Sequence, residues 1–328
     1  MDSKKTKALL LATGLLMASA SHAAGTLIGQ WDLNGDGKVE SVYRNGANLD
    51  VQTANGPVTS YAIGNTVWAV FGAADTDGKP GAEVIIKAGP DLQVVRHASK
   101  TKKSYPMGNR VWSVIAAANV DNSEGNEVIM SVGTGIAHLN EKTGSVKEYT
   151  FDYNSTWSLV AAADLTGQGA DVVLNMGNGI KVVNLRNNNN KDFTFPGYSA
   201  VVGVYETDGL AGGEILGRTS DKVYLIKGGV TGNVKYYEGS STYQWAIYGN
   251  SVDTDGAAGN EIILAMQGFI RIIHPATNSV KDYQVGNTNY SIDSATDIDG
   301  VAGVELQVRD ATGKIFILND RLKKIYAL

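Results

Sequence analysis

The chain has no cysteine among its 328 residues, so no disulfide can hold it together. Its stability has to come from buried apolar surface, and a chain of this length buries a large core. Only 4 histidines are present, and no Gly-x-Ser-x-Gly, His-Glu-x-x-His or phosphate-binding glycine loop occurs. The sequence therefore offers no recognisable set of catalytic base and nucleophile.

Basic stripes and long apolar segments are also scarce. The net charge is −5 and no basic run stands out, which argues against a nucleic-acid partner. One apolar run, residues 8–20, follows three lysines and precedes Ser21-His22-Ala23. This pattern predicts a secretory signal peptide over 1–23, cleaved near Ala23, and a secreted or periplasmic protein. A retained membrane anchor is the alternative, but the run is short for a transmembrane segment.

An acidic stretch organises the rest of the chain and occurs seven times. Its clearest copy begins Asp75-Thr76-Asp77-Gly78 and reaches Glu83 just before an apolar run. The copies begin at residues 32, 75, 119, 164, 206, 253 and 297, which places them 42 to 47 residues apart. A nearly constant period in this range indicates a repeat architecture.

Each repeat is predicted to contain four short strands. In the second repeat they are 67–74, 83–87, 92–96 and 103–107, and turn pairs such as Asn45-Gly46 and Thr143-Gly144 suit hairpins. Seven such repeats predict an all-β fold, a seven-bladed β-propeller with four antiparallel strands per blade. This single domain would span 24–328, with blades beginning near residues 26, 67, 111, 156, 198, 244 and 289.

The repeats resemble the FG-GAP or VCBS type, the family that includes the propeller of integrin α-subunits. The resemblance rests on the seven loops of Asp-x-Asp-Gly kind, each leading into a strand of Glu-Val-Ile-Ile kind, and covers nearly all of the chain after residue 23. It implies a propeller, and it implies calcium in loops of the form Asp-x-Asp/Asn-x-Asp-Gly-x-x-Asp. The family is functionally broad, so the resemblance implies no particular ligand.

Only the first loop has a complete set of oxygen donors for calcium, which takes six to eight oxygens. Position twelve is Tyr43 rather than Glu, which excludes an EF-hand. Two alternatives remain, namely carboxylates that only accept backbone N–H bonds and a solvated turn. The predicted donors are, in loop order, Asp32, Asn34, Asp36, the carbonyl of Lys38, and Glu40.

The other loops depart from this pattern. Position five is Lys79 in the second loop, Ala257 in the sixth and Val301 in the seventh. Too few oxygens remain there for strong binding, so we expect carboxylates that brace the loop. Weaker calcium binding is the alternative at three of these loops, through Asp75, Asp77, Glu83, Asp253, Asp255, Glu261, Asp297, Asp299 and Glu305.

Aromatic residues recur seven or eight residues before the acidic loops, at Trp68, Trp112, Trp157, Tyr198, Trp245 and Tyr290. One interpretation is that they pack between blades as core. The other is that they line one face and stack on a sugar or a cation. In the second case the neighbouring polar contacts would come from Asn65, Asn109, Arg110 and Asn287.

Two histidines, His97 and His274, are predicted to begin the same hairpin turn in two blades, a place that Asn140 and Asn319 hold in others. Polar turn contacts explain them better than catalysis. We therefore expect a non-enzymatic, secreted binding protein with calcium-stabilised loops, whose partner is a glycan or an extracellular protein. The alternatives are a polysaccharide lyase or glycosidase on the same fold and a structural surface or matrix component.

Overall fold

The structure is a computed structural model that describes residues 25–54, 56–64, 67–151, 156–177, 179–195, 199–242, 244–249, 251–286 and 289–327. These residues form seven four-stranded antiparallel sheets and one short 3₁₀ helix, Gly229–Thr231. The predicted fold class, an all-β seven-bladed β-propeller, is confirmed. No helix among the described residues is long and apolar enough to cross a membrane.

The described residues divide into two compact units. The first unit ends at Thr156, also includes Leu185–Asn188, and contains three sheets. Their strands are β1 (Thr26–Trp31), β2 (Glu40–Asn45), β3 (Asn48–Gln52), β4 (Val58–Ala62), β5 (Trp68–Ala74), β6 (Glu83–Ala88), β7 (Asp91–Arg96), β8 (Thr101–Pro106), β9 (Trp112–Ala118), β10 (Glu127–Val132), β11 (Gly135–Asn140) and β12 (Ser145–Tyr149).

The second unit comprises Trp157–Asn184 and Asn189–Leu328 and contains four sheets. Their strands are β13 (Ser158–Asp164), β14 (Ala170–Asn175), β15 (Gly179–Asn184), β16 (Asn189–Thr194), β17 (Ser199–Tyr205), β18 (Glu214–Thr219), β19 (Lys222–Lys227), β20 (Asn233–Glu238), β21 (Trp245–Ile247), β22 (Ile262–Met266), β23 (Phe269–His274), β24 (Ser279–Gln284), β25 (Tyr290–Thr296), β26 (Glu305–Asp310), β27 (Ile315–Asn319) and β28 (Lys324–Ala327).

Every sheet is built from four consecutive strands, each paired with the next. The hairpin between the third and fourth strands turns through a residue with positive φ in several sheets, as at Lys100 (55°), Gly144 (71°) and Asn278 (55°). Glycine and asparagine tolerate this conformation best, and they occupy it at Gly144 and Asn278, whereas a lysine occupies it at Lys100. The acidic loop lies between the first and second strands of each sheet.

The apolar core lies between neighbouring sheets of a unit. Second strands such as β6 bury four residues in succession, whereas fourth strands such as β8 are mostly exposed. One core cluster joins Val42 and Val51 of the first sheet to Trp68, Val84 and Ile86 of the second. Each sheet is therefore stabilised chiefly by burial against its neighbour, and the acidic loops are held at the ends of this packed layer.

Candidate functional site

The acidic loops close on themselves through their own side chains, as the first loop shows. Asp32 accepts N–H bonds from Gly35 (2.7 Å) and Gly37 (2.9 Å), one on each carboxylate oxygen. The Asn34 side-chain oxygen accepts the Asp36 N–H at 2.9 Å, and Asp36 accepts the Lys38 N–H at 2.8 Å. The carboxylates thus brace the turn, as the first alternative from the sequence requires.

Glu40, the predicted donor at position nine, lies beneath the loop and is only 1% exposed. One of its oxygens accepts the Leu33 N–H at 2.8 Å and the other accepts the Asn34 side-chain amide at 3.2 Å. Five other loops repeat the first of these bonds, at 2.7 to 2.9 Å, in the pairs Thr76–Glu83, Val120–Glu127, Thr207–Glu214, Thr254–Glu261 and Ile298–Glu305.

Burial makes the ionised forms of three of the buried acids costly. Burial raises the pKa of Glu83 and that of Glu127 to about 7. The backbone N–H bonds to these carboxylates lower both pKa values, but burial has the larger effect. It also raises the pKa of Asp171, the equivalent residue of the fourth sheet, to about 6. A nearby cation would offset this cost by favouring the charged forms.

Loops of neighbouring sheets interlock within each unit. In four loops the residue just before the buried acid donates its backbone N–H to the carbonyl of the residue that begins the preceding loop. Four such bonds, of 2.7 to 2.9 Å, are Ala82–Asp32 and Asn126–Asp75 in the first unit, and Gly213–Asp164 and Val304–Asp253 in the second. In five loops the fourth residue is a glycine packed against the next loop, where an added side chain would meet its atoms. These glycines are Gly35, Gly78, Gly167, Gly209 and Gly256.

Four loops bring three metal-ligating side chains within 4.8 Å of one another. The groups in the second and seventh loops were predicted from the sequence, and the group in the fifth loop was not. The group in the sixth loop was predicted in part, because His274 takes the place of Asp253. Asp253 instead accepts the backbone N–H groups of Asp255 and Gly256. The groups are Asp75/Asp77/Glu83, Asp297/Asp299/Glu305, Glu206/Asp208/Glu214 and Asp255/Glu261/His274.

In three of these four groups a side-chain cation of the protein already faces the carboxylates. Arg96 lies 3.7 Å from Asp77, Arg321 lies 2.7 Å from Asp299, and Lys227 pairs with Asp208. The paired charges reduce the need for a bound ion, in line with the bracing role expected for the second and seventh loops.

The histidines do not occupy the equivalent places that the sequence predicted. His274 ends β23 as Arg96 ends β7, whereas His97 lies one residue after β7 and contacts the Tyr61 hydroxyl at 3.0 Å. The predicted equivalence is therefore wrong by one residue. The sequence spacing identifies the equivalent residues correctly, because Arg96 follows Glu83 by 13 residues and His274 follows Glu261 by 13 residues.

Three of the predicted aromatic residues are packed as core. Trp68 and Trp112 are each 2% exposed and Trp245 is 7% exposed. A cation lies over each ring: Arg44 at 4.5 Å from the Trp68 ring, Lys87 at 4.6 Å from Trp112, and Arg218 at 3.9 Å from Trp245. With their faces covered, these rings favour the packing interpretation over ligand stacking.

The remaining aromatic and polar candidates are dispersed. Trp157 and Tyr290 are half-buried and Asn109 is exposed, while Arg110 forms a salt bridge with Glu148. Tyr198, Asn65 and Asn287 lie outside the described residues. Of the predicted set, Tyr290 lies at the wall of an open cleft.

This cleft lies between the sixth and seventh sheets, both in the second unit, and has a volume of about 460 Å³. Its wall combines the Tyr290 ring with three exposed amides, Gln244, Gln267 and Asn289, together with Met266 and Gly268. These amides were not predicted from the sequence, because glutamine and asparagine side chains are common on protein surfaces. The sequence signals were that Asn289 directly precedes Tyr290, Gln244 directly precedes Trp245, and Gln267 directly precedes Gly268.

Tyr290 is held rigidly at the cleft wall. Its hydroxyl donates to the Phe269 carbonyl at 2.7 Å and accepts the Met266 N–H at 2.9 Å. Burial raises its pKa to about 12, so the hydroxyl stays protonated at physiological pH. The ring is therefore a preformed surface that a ligand meets without reorganisation.

No protein-family model matches the chain, and no curated protein matches it either. Several solved structures are similar in fold at low sequence identity. A lectin of Agrocybe aegerita, described as recognising non-reducing terminal N-acetylglucosamine, is 12% identical with a TM-score of 0.42, over 94% of this chain and 90% of the lectin.

Two other similar structures have different roles. BBS1N in complex with ARL6DN is 11% identical with a TM-score of 0.37, over 91% of this chain and 92% of its own. The dihydro-heme d1 dehydrogenase NirN is 12% identical with a TM-score of 0.43, over 92% of this chain and 65% of its own. These likenesses assign no ligand to this chain, and membership of the FG-GAP or VCBS family stays a prediction.

Proposed function

We propose that this chain is a secreted binding protein that holds a carbohydrate in the cleft between its sixth and seventh sheets. The observation that carries the proposal is the set of three exposed amides around the fixed Tyr290 ring. Planar amides offer paired donors and acceptors that match vicinal hydroxyl groups, and an aromatic ring packs against the apolar face of a sugar. The cleft volume falls within the range of small-molecule sites.

The chemistry of the cleft favours binding over hydrolysis. Glycoside cleavage needs two carboxyl groups that flank the scissile bond. Among the described residues that line the cleft, none carries a carboxylate or an imidazole, and the protonated Tyr290 hydroxyl is not a base. A polysaccharide-active enzyme on this fold is therefore the second candidate, and an extracellular protein partner is the alternative occupant.

A glycan array followed by calorimetry tests the cleft. We expect saturable binding of a glycan, and we expect Gln267→Ala to weaken it about tenfold, because one lost hydrogen bond with an unpaired partner is worth about 1–3 kcal/mol. The matched control is Asn109→Ala, which removes an exposed amide elsewhere in the chain and should leave the affinity unchanged.

Three outcomes would count against the cleft. Loss of binding in Asn109→Ala but not in Gln267→Ala would favour the aromatic positions over the cleft. A folded wild-type protein that binds no glycan would overturn the carbohydrate assignment and redirect the search to protein partners. Release of product from a polysaccharide would establish the enzyme instead.

Calcium at the first loop is a further part of the proposal. The oxygens of Asp32, Asn34 and Asp36 accept one backbone N–H bond each, and a carboxylate or amide oxygen has a second lone pair. Hard oxygen donors on a tight loop fit calcium, which would stiffen the loop when bound. The exposed Asp36 leaves the loop accessible to the ion.

Chelation tests the calcium site. We expect excess calcium to raise the melting temperature of the chelated protein, because an ion that binds only the folded state stabilises it. Asp36→Ala should abolish this difference. Lys79→Ala, at the same position of the second loop, is the control and should preserve it. Identical melting curves with chelator and with calcium would show that the first loop is braced by hydrogen bonds alone.

A further inference from the structure

The last residue of the third strand meets the acidic loop in most sheets. In five sheets this residue has a side chain that donates N–H groups, and the side chain contacts a carboxylate of the acidic loop. Asn140 donates to Asp121 at 2.8 Å and to Glu127 at 3.1 Å. The other four contacts are Asn184–Asp171 (2.8 Å), Asn319–Glu305 (2.8 Å), Arg96–Asp77 (3.7 Å) and Lys227–Asp208.

The sixth sheet is different because His274 occupies this position. Its Nδ1 atom lies 3.4 Å from Asp255 Oδ2 and 3.4 Å from Glu261 Oε1, and the three atoms are within 4.8 Å of one another. Unlike the NH₂ group of an amide or a guanidinium, which only donates, a nitrogen of a neutral imidazole presents a lone pair. Two carboxylates and an imidazole therefore converge on one point.

These distances match the coordination shell of a transition metal. Two ligand atoms that each lie about 2.1 Å from an ion, at a tetrahedral angle, are about 3.4 Å apart. The nitrogen donor also distinguishes the ion, because calcium takes oxygen ligands whereas zinc and its neighbours bind imidazole together with carboxylates. The sixth loop thus differs in chemistry from the all-oxygen first loop.

A second observation concerns the far side of the imidazole. His274 is 2% exposed, and its Nε2 atom has no hydrogen-bond partner. The Asp320 Oδ2 atom is 3.2 Å away, which is close enough for charge attraction but is not aligned as a hydrogen bond. If Nε2 carries the ring proton on the side of Asp320, the lone pair of the neutral ring lies on Nδ1, the atom that faces Asp255 and Glu261.

Asp320 is itself fixed in place. It is fully buried, and it receives contacts from Lys281 (3.1 Å), Thr254 (3.1 Å) and the Tyr283 hydroxyl. With an ion on Nδ1, the proton of the ring resides on Nε2 and faces this carboxylate. Metal-ligating histidines are commonly oriented by such a carboxylate, which fixes the tautomer and strengthens the ligand.

We propose that Asp255, Glu261 and His274 form a site for a divalent transition-metal ion of the zinc class, with Asp320 as the positioning residue behind the imidazole. The site is independent of carbohydrate binding and of calcium at the first loop. The Asp255 side chain is 23% exposed, which gives the ion a way in and leaves room for water to complete the shell. The competing explanation is an imidazolium whose protons, rather than a metal ion, neutralise the carboxylates.

Cobalt and zinc titrations of the chelator-treated mature protein test the site. We expect one equivalent of Co²⁺ to give a visible absorption band that one equivalent of Zn²⁺ displaces, and we expect Zn²⁺ to raise the melting temperature. His274→Asn should abolish all three effects. This variant copies the residue found at positions 140, 184 and 319, so the fold has a precedent for it.

The reciprocal variant Asn140→His places an imidazole opposite Asp121 and Glu127 in the third sheet, and we expect it to gain a second equivalent of Co²⁺ binding. Wild-type protein that takes up no stoichiometric Co²⁺ or Zn²⁺ would overturn the proposal in favour of the imidazolium. Equal binding by wild type and a folded His274→Asn would overturn it as well. If His274→Asn does not fold, two other measurements test the proposal. These are the number of metal equivalents that the wild-type protein binds and the additional Co²⁺ equivalent expected for Asn140→His.

Discussion

Gly256→Ala is expected to destabilise the protein far more than Gly300→Ala, although the two glycines hold the same place in the sixth and seventh loops. Their φ angles are 77° and 75°, so both variants incur the same left-handed strain, about 1–2 kcal/mol. A Cβ at Gly256 would also lie less than 3.0 Å from the backbone carbonyl of Ala302, whereas a Cβ at Gly300 meets nothing within 4 Å.

The extra contact sets the difference between the two variants. Backbone cannot give way as a flexible side chain does, so the clash should add about 1–3 kcal/mol at Gly256. Denaturant unfolding of the two variants measures this difference in the free energy of unfolding. Equal destabilisation would show that the loops of the sixth and seventh sheets do not pack against each other as closely as the bond from Val304 to the Asp253 carbonyl indicates.

The seven-fold repeat made the fold predictable from the sequence, because each repeat carries its own turn, acid and strand signals. The second repeat shows the limits. The predicted 83–87 and 92–96 correspond to Glu83–Ala88 and Asp91–Arg96, but the fourth strand is Thr101–Pro106 rather than 103–107. The start of this strand could not be predicted because Lys102 and Lys103 are exposed. A strand that buries few side chains lacks the alternation of apolar and polar residues by which strands are recognised.

The functional positions were harder to predict, because they depend on contacts between residues distant in sequence. The residues around Glu40 in the sequence do not show whether its carboxylate binds an ion or accepts the Leu33 N–H. The pairing of His274 with Glu261 comes from strand register, and its pairing with Asp320 comes from the next sheet. Packing between sheets likewise decides that Trp68 is buried while Tyr290 reaches a cleft.

Trp68→Ala is expected to destabilise the fold strongly rather than to remove a ligand contact. The ring joins the core shared by the first and second sheets, and truncation of a buried tryptophan costs about 3–5 kcal/mol. Trp68→Phe keeps most of the apolar volume and loses the indole N–H bond to the Gly46 carbonyl, which is 3.0 Å long. Apart from the effect of the smaller ring, loss of this hydrogen bond should lower the free energy of unfolding by about 1 kcal/mol.

The ordering of these variants distinguishes the two interpretations of the aromatic positions. If the rings are core, the free energy of unfolding falls in the order wild type, Trp68→Phe, Trp68→Ala, and glycan affinity of the still-folded Trp68→Phe equals that of wild type. If Trp68 were part of a binding surface, Trp68→Ala would stay nearly as stable as wild type and lose affinity. Because the ring is 2% exposed with Arg44 over its face, the first pattern is the one we expect.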